Sequence, residues 1–227
     1  AIPGGYIVSI PGWPAALAWA GVLAFAWWLW HTPRRRWVVA ARLALVVAVA
    51  SWGSLLFRAP RDRDGVLTVH FLDVGQGDSA VIELPDGQTV LIDGGARYER
   101  FDMGHGVVAP FLWNRGIAHL DHVIGTHAQL DHVGGLIWVL RHIPVGRYWA
   151  NGVDRSEQFS VDLDAALTDN QIPRHLAARG QELLQSGPCQ LIVLNPPDGT
   201  SGERAIQQPS GKFLNNQSIV SRVQCGA

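Results

Sequence analysis

The segment from Thr126 to Gly135 holds the residues best suited to chemistry. It reads THAQLDHVGG and places three metal-capable side chains, His127, Asp131 and His132, within six residues. Imidazole together with carboxylate suits a borderline or hard divalent ion. The segment therefore predicts a metal site, and the alternative is a polar turn whose histidines are satisfied by hydrogen bonds.

A strand and a helix must position this segment. The apolar run from His122 to Gly125 predicts a short buried strand. The apolar residues after the segment have the spacing of an amphipathic helix: Leu136, Ile137, Val139, Leu140 and Ile143. Gly134 and Gly135 let the backbone pass close to a neighbour. Asp131 and His132 then lie near a helix N-terminus, which also favours an anion such as phosphate.

Upstream, the pattern predicts a β-meander that ends at a carboxylate. Asp93 follows the third strand and precedes two glycines, a position that also suits a turn-forming residue. The second and third strands are joined by the Asp-Gly turn Pro85–Gly87, which is a hairpin signal. The predicted strands, with the glycine-rich turn DVGQGDS between the first two, are Val66–Leu72, Ala80–Leu84 and Gln88–Ile92.

Downstream, strands alternate with helices, which predicts an α/β domain with helices covering paired sheets. Asn215, Asn216 and Ser218 come just before the last strand and are typical of a turn. We expect a helix at Met103–Arg115 despite Pro110 and another at Ser156–Gln171, and strands at Val145–Ala150, Cys189–Leu194 and Ile219–Val223.

The central segment resembles the metallo-β-lactamase superfamily signature, H-x-H-x-D-H, with Gln129 in place of the second histidine. The resemblance implies a two-metal centre, with His127 at the first metal and Asp131 and His132 at the second. Gln129 is a weak ligand, so the resemblance leaves the first position incomplete. It also implies that Asp93 supports the site from nearby, so Asp131 and Asp93 are the expected catalytic residues.

Two longer strings narrow the resemblance. VHFLDVGQGDSAVIELPDGQTVLIDGG followed by THAQLDHVGG looks like the extracytoplasmic domain of the bacterial competence DNA-uptake channel family, ComEC. This implies a metallo-β-lactamase-like αββα sandwich, expected here to be incomplete at its C-terminus because the family's later Asp and His ligands are not seen. The resemblance adds motif or supporting residues: Asp73, Gln76, Asp78, Asn215, Asn216 and Ser218.

Two apolar runs precede this domain. Pro14–Trp30 has no charge and Trp37–Phe57 has only Arg42. Each has roughly the twenty residues that cross a bilayer, with tryptophans mostly toward the ends. We predict two transmembrane helices in residues 1–57, a linker in 58–65 and the metallo-β-lactamase-like domain in 66–227. A pair of buried helices in a soluble core is the disfavoured alternative.

The charges around these runs predict the topology. The short loop His31–Arg36 carries three arginines, which the positive-inside rule places in the cytoplasm. The domain would then lie on the extracytoplasmic, periplasmic side of a multi-pass protein of the bacterial inner membrane. Arg58, Arg61 and Arg63 after the second run weaken this assignment.

Overall composition adds few constraints. The 227 residues carry a net charge of −1 with a pI near 6.8, so no global basic charge indicates nucleic-acid binding. Cys189 and Cys225 match no metal spacing, and two separate buried thiols are favoured over a disulfide. His105, His119 and His122 are expected in loop, capping or solvent-facing roles. Four scattered arginines are interpreted as solvated surface: Arg141, Arg147, Arg155 and Arg174.

Three functions are compatible with these features. The resemblance favours a metal-dependent nuclease or phosphodiesterase, with two Zn²⁺ or Mn²⁺ ions in the parent protein, that degrades the non-transported DNA strand. Its expected partners are single-stranded DNA, the lipid bilayer and other competence proteins. The first alternative is an inactive domain with a structural or DNA-guiding role, and the second is a different hydrolase of the superfamily.

Overall fold

The computed structural model describes residues 65–153, 157–196 and 210–226, together with nine isolated helical residues between positions 20 and 49. The chain divides into two compact units, Ala1–Arg61 and Asp62–Ala227. Across the described part of the chain, no helix is both long and apolar enough to cross a membrane. Most of the two predicted transmembrane runs, Pro14–Trp30 and Trp37–Phe57, lies outside the described residues.

A six-stranded sheet forms the centre of the second unit, with its strands in chain order. The first three strands pair antiparallel and the rest pair parallel. The predicted meander is therefore confirmed. The strands are β1 Thr68–Phe71, β2 Ala80–Glu83, β3 Thr89–Ile92, β4 Leu120–Ile124, β5 Val145–Ala150 and β6 Arg174–Leu176.

A second, antiparallel sheet contains β7 Glu182–Ser186, β8 Cys189–Asn195 and β9 Val220–Cys225. Cys189 and Cys225 are direct cross-strand partners and form a disulfide. The expectation of two separate thiols is wrong because the register of β8 and β9 brings residues 36 positions apart face to face. That register depends on the tertiary fold and is not visible in the cysteine spacing.

Helices cover the outer face of the first sheet. A π-helical segment, Gly104–Val108, continues into α1 Ala109–Asn114. Pro110 lies in the first turn of α1, directly after the π-helical segment, so the helix changes its hydrogen-bonding pattern next to the proline. Next come α2 Leu130–His142 and α3 Gln158–Asp169.

A short helix, α4 Gly211–Asn216, precedes β9, where the sequence predicted a turn. The Ser210 side chain caps this helix by accepting a hydrogen bond from the backbone N–H of Phe213.

Two apolar cores hold the layers together. Leu91 and Val123 pack against the helices, whereas Val90 and Ile124 pack against the second sheet. Successive side chains of one strand thus enter different cores, as the period of two requires. The described residues form a layered, mixed α/β sandwich of helices, a six-stranded sheet and a three-stranded sheet, which confirms the predicted α/β class.

His122 is an exception to the sequence-based expectation. We expected a solvent-facing or capping side chain, but His122 is only 5% exposed. Its ring stacks near Trp149 and its Nδ1 accepts a hydrogen bond from the Trp149 indole N–H at 3.0 Å. The imidazole is buried because its polar atom has a partner that lies 27 residues away.

Candidate functional site: a histidine pair at the ends of two parallel strands

The site is built where β3 and β4 end. These strands are parallel, so Asp93, one residue after β3, lies beside the loop that follows β4. Asp93 donates its backbone N–H to the carbonyl of Ile124 at 2.9 Å. Its side chain is almost fully buried, and its backbone adopts a φ of 54°, a left-handed conformation that Asp tolerates better than most residues.

The carboxylate of Asp93 accepts three hydrogen bonds. The backbone N–H of Thr126 donates to Oδ1 at 2.8 Å, and the Thr126 hydroxyl donates to Oδ2 at 2.6 Å. His132 Nδ1 lies 2.9 Å from the same Oδ2. One buried carboxylate therefore fixes the loop before α2 and also the ring of a histidine in the first turn of α2.

This contact defines how His132 can act. With Nδ1 bound to Asp93, the Nε2 nitrogen remains as the functional atom of the ring. A carboxylate on the far nitrogen is the support that metal-ligating histidines usually have. The position of Asp93 agrees with the supporting role that the family resemblance implies.

His127 lies beside His132 but has a different environment. The two ring centroids are 4.1 Å apart. His127 Nδ1 is 3.0 Å from the Thr126 hydroxyl and 3.1 Å from the Ser218 hydroxyl. Its Nε2 is 3.1 Å from the side-chain amide of Gln129. Both ring nitrogens are thus engaged, whichever of them carries the proton.

The pKa values of the two rings are also shifted differently. Burial lowers the pKa of His127, and the neighbouring His132 lowers it further. Burial also opposes the charged form of His132. At His132, however, the hydrogen bond to Asp93 and the negative charges of Asp93, Asp131 and Asp78 outweigh the effect of burial. Together they raise the pKa of His132. The pKa values of the adjacent histidines are therefore shifted in opposite directions, and perturbed pKa values cluster at functional sites.

The glycine-rich turn DVGQGDS packs onto the start of α2. Gly77 has a φ of 100°, and a Cβ at this position would overlap the carbonyl oxygen of Asp131. Asp78 lies at the rim, with its Oδ2 3.8 Å from His132 Nδ1. Asp73 and Gln76 are exposed. The carboxylate of Asp73 accepts the Gly75 N–H at 3.2 Å, a contact within the turn itself.

Close backbone contact holds α2 against the end of β3. The backbone carbonyl of His132 accepts a hydrogen bond from the Gly94 N–H at 2.8 Å. The Gly135 N–H donates to the backbone carbonyl of Gly95 at 2.9 Å. A Cβ on Gly135 would overlap the Gly94 carbonyl oxygen. The expectation that Gly134 and Gly135 permit close backbone approach is confirmed.

The segment before β9 contributes one residue. Ser218 reaches His127, while the side chains of Asn215 and Asn216 are exposed at the end of α4. Asn195 holds this segment by donating to the carbonyls of Ser218 at 2.7 Å and Asn216 at 3.1 Å. The paired asparagines therefore terminate a helix, and only Ser218 of the three touches the histidine pair.

Sequence reasoning gave no role to Thr126 or Asn195. The sequence did offer a signal for Thr126, since it is the polar residue between the apolar run of β4 and His127. A hydroxyl at the end of one strand can form a hydrogen bond with the end of a neighbouring parallel strand. Asn195 carried no local signal, because its partners lie 21 and 23 residues away.

The residues fit one metal position better than two. Asp131 and the supported His132 provide a carboxylate and a free Nε2, the donor types a divalent ion takes. At the first position the Gln129 amide is hydrogen-bonded to His127 Nε2, where a metal would be bound. Within residues 65–153, 157–196 and 210–226, no three His, Cys, Asp or Glu side chains are grouped as a metal cage. These residues alone therefore do not complete a two-metal centre.

Comparison with known proteins assigns the class of the domain. Residues 72–175, from the end of β1 to β6, match the family model of the metallo-β-lactamase superfamily. The described unit is therefore a mixed α/β metallo-β-lactamase-like domain.

A curated relative gives the context. The chain is 30% identical over 170 residues to ComE operon protein 3 of Bacillus subtilis (strain 168). The match covers 70% of this chain and 20% of the relative, so the chain spans about a fifth of that protein's length.

Solved structures are more distant. A metallo-β-lactamase of Cronobacter sakazakii with a mutated HARLDQ motif is 16% identical, with a TM-score of 0.36, over 56% of this chain and 50% of that chain. CmlA, a diiron β-hydroxylase from Streptomyces venezuelae, is 17% identical, with a TM-score of 0.39, over 69% of this chain and 27% of that chain.

Proposed function

We propose that this chain is part of an inner-membrane DNA-uptake protein whose metallo-β-lactamase-like domain lies on the extracytoplasmic side and acts on DNA. Three observations support the proposal: the similarity to a competence operon protein, the two apolar runs, and the Cys189–Cys225 disulfide. Disulfides persist in oxidising compartments such as the periplasm and are rare in the cytosol. Single-stranded DNA, the bilayer and other competence proteins are the proposed partners.

The proposed activity is hydrolysis of a phosphodiester in the non-transported strand. The observation that carries it is the Asp93–His132 contact, since it orients one ring nitrogen and leaves the other free at the start of a helix. Asp131 and His132 would hold a divalent ion, Zn²⁺ or Mn²⁺. Such an ion lowers the pKa of its bound water and neutralises phosphoryl charge. Asp93 holds the ring, and the N-terminal end of α2 favours the phosphate.

A second function is favoured by one observation. The Gln129 amide satisfies His127 Nε2 at 3.1 Å, so the first metal position is closed in this structure. A domain that has lost this position could still bind DNA and guide it without cleaving it. The proposal therefore has a catalytic form and a DNA-guiding form, and the number of metal ions bound separates them.

The test measures metal binding and DNA cleavage in the same samples. The purified protein is titrated with Mn²⁺ and Zn²⁺ by calorimetry and assayed on fluorescent single-stranded DNA. The catalytic form predicts one bound ion and metal-dependent cleavage, with at least a hundredfold loss in Asp131→Ala. Asp169→Ala, which removes an exposed carboxylate at the end of α3, is the matched control and should behave as wild type.

Gln129→His completes the test. Restoring an imidazole at this position should raise the stoichiometry by one ion and increase cleavage. A folded wild-type domain that binds DNA, binds no metal and cleaves nothing would support the guiding form. If it binds neither metal nor DNA, both forms are wrong.

A further inference from the structure

We propose that the domain carries a second phosphate-binding site. It is a polar cavity at the N-terminal ends of the central strands of the first sheet, opposite the candidate active site. The cavity has a volume of about 480 Å³. The candidate active site lies where β3 and β4 end, whereas this cavity lies where β3, β4 and β5 begin. The five residues of β4 separate the two by about 16 Å. The polar side chains that line the cavity are Gln88, His119, Asp121, His122, Arg147 and Gln185.

His122 supplies a donor that no protein group uses. Its Nδ1 accepts the indole N–H of Trp149, so in the neutral ring Nε2 carries the hydrogen. This Nε2–H forms no hydrogen bond in the part of the chain that the structure describes, and it is not among the fully buried polar atoms there, although the residue as a whole is only 5% exposed. His122 lines the cavity, so an N–H without a protein partner is available there to a ligand.

The surroundings of this ring favour its neutral form. Burial lowers the pKa of His122, and the positive charge of Arg147 lowers it further, against an opposing effect of Asp121. The ring therefore presents a neutral N–H beside a guanidinium. This pair of donors, one neutral and one charged, suits an oxyanion.

Arg147 is the cation of the cavity. Its side chain is exposed and forms no ion pair with any residue in the described ranges. A guanidinium presents a planar set of N–H groups that matches two oxygens of a phosphate. The surface interpretation from the sequence treated Arg147 as one of four scattered arginines, but the structure places it next to a buried histidine donor.

Asp121 is the carboxylate that opposes an anion here. The Thr89 N–H donates to its Oδ2 at 2.7 Å and the Thr89 hydroxyl does so at 3.2 Å, while His119 Nε2 lies 3.6 Å from Oδ1. These contacts use Asp121 to fix the start of β3. A single engaged carboxylate among amide, imidazole and guanidinium groups is a poor cation site, because hard cations need several oxygen ligands.

The chemistry that these donors recognise is therefore a phosphate group that enters the cavity, whatever the size of the molecule that carries it. Inorganic phosphate, a deoxynucleoside monophosphate and the backbone of a DNA oligomer all present it, and the volume falls in the range of small-molecule sites. The site does not depend on the proposed function, because its residues are separate from Asp131 and His132.

The experiment titrates the purified protein with each of these three probes. Binding is followed by calorimetry and by the NMR signal of the His122 Nε2–H. We expect saturable binding of at least one probe and a shift of that signal. Arg147→Gln should weaken binding at least tenfold, while Arg141→Gln, which removes the same charge from the C-terminal turn of α2, should leave it unchanged.

The Asp121→Asn variant tests the same site by an expected increase in affinity. It retains an acceptor for Thr89 and removes the negative charge that repels a phosphate. It should tighten binding severalfold. The tightest-binding probe identifies the source of the phosphate. The proposal fails if no probe binds saturably, if Arg141→Gln weakens binding as much as Arg147→Gln, or if Asp121→Asn leaves binding unchanged.

Discussion

Replacing Asp93 with alanine should have the largest effect on stability of any single change near the histidine pair. The substitution removes the acceptor for the Thr126 N–H, the Thr126 hydroxyl and His132 Nδ1. All three hydrogen bonds are accepted by the carboxylate, and hydrogen bonds to a charged group contribute about 1.5–3 kcal/mol each. The free energy of unfolding should therefore fall by about 5 kcal/mol, near the lower end of that sum and the upper end of the roughly 3–5 kcal/mol expected when a buried ion pair loses one partner.

The backbone at Asp93 adds a separate cost. Alanine at a φ of 54° is strained by about 1–2 kcal/mol, and glycine is not. Urea denaturation of Asp93→Ala, Asp93→Gly and Asp73→Ala separates the contributions. Asp73 is the matched control, because its exposed carboxylate accepts only the Gly75 N–H. The reasoning is refuted if Asp93→Gly loses less than about 1 kcal/mol, or if Asp73→Ala loses as much.

Three further predictions concern the support of the fold. Gly77→Ala should lower the melting temperature by several degrees, because its Cβ overlaps the Asp131 carbonyl, whereas Gly116→Ala, also at positive φ but in open space, should cost only backbone strain. For Glu83, burial raises the pKa, but Arg115 and His70 outweigh it, and the pKa lies below its ordinary 4.5. The contribution of Glu83 to the free energy of unfolding, about 1 kcal/mol, should be present above pH 4.5 and lost in acid. The urea denaturation curves of wild type and Glu83→Gln should therefore converge as the pH falls. A difference between them that widens in acid would contradict the predicted sign. The Cys189–Cys225 disulfide closes a loop of 36 residues, and removing it should lower the free energy of unfolding by about 4 kcal/mol. The Cys189→Ser, Cys225→Ser double variant measures this loss. An unchanged free energy of unfolding after reduction would show that the bond does not constrain the unfolded chain.

Features that depend on a few neighbouring residues were predictable from the sequence. The strands of the meander follow from alternation and an Asp-Gly turn, and the central motif lies in one loop between β4 and α2. Parallel pairing of β3 and β4 then brings Asp93 to Thr126 without further information. The supporting role expected for Asp93, by contrast, came from the family resemblance and not from the strand pattern.

Features that depend on long-range pairing were not predictable. Ser218 contacts His127 across 91 residues, and Trp149 makes His122 a buried residue across 27. The disulfide depends on the register of β8 and β9. In each case the amino-acid type permitted several environments, and the tertiary fold selected one.

The backbone conformation of Asp93 is itself an argument for function. Of the non-glycine residues in the described ranges, Asp93 and Gln171 have a positive φ, and Gln171 lies on an exposed turn where strain costs little. Asp93 is buried, so its strain persists only because three hydrogen bonds hold it. The bond to Nδ1 orients His132, whose Nε2 makes no hydrogen bond with the residues that the structure describes, whereas both nitrogens of His127 have partners there. The positive φ of the buried Asp93 and its contact with His132 therefore support the proposed role of His132.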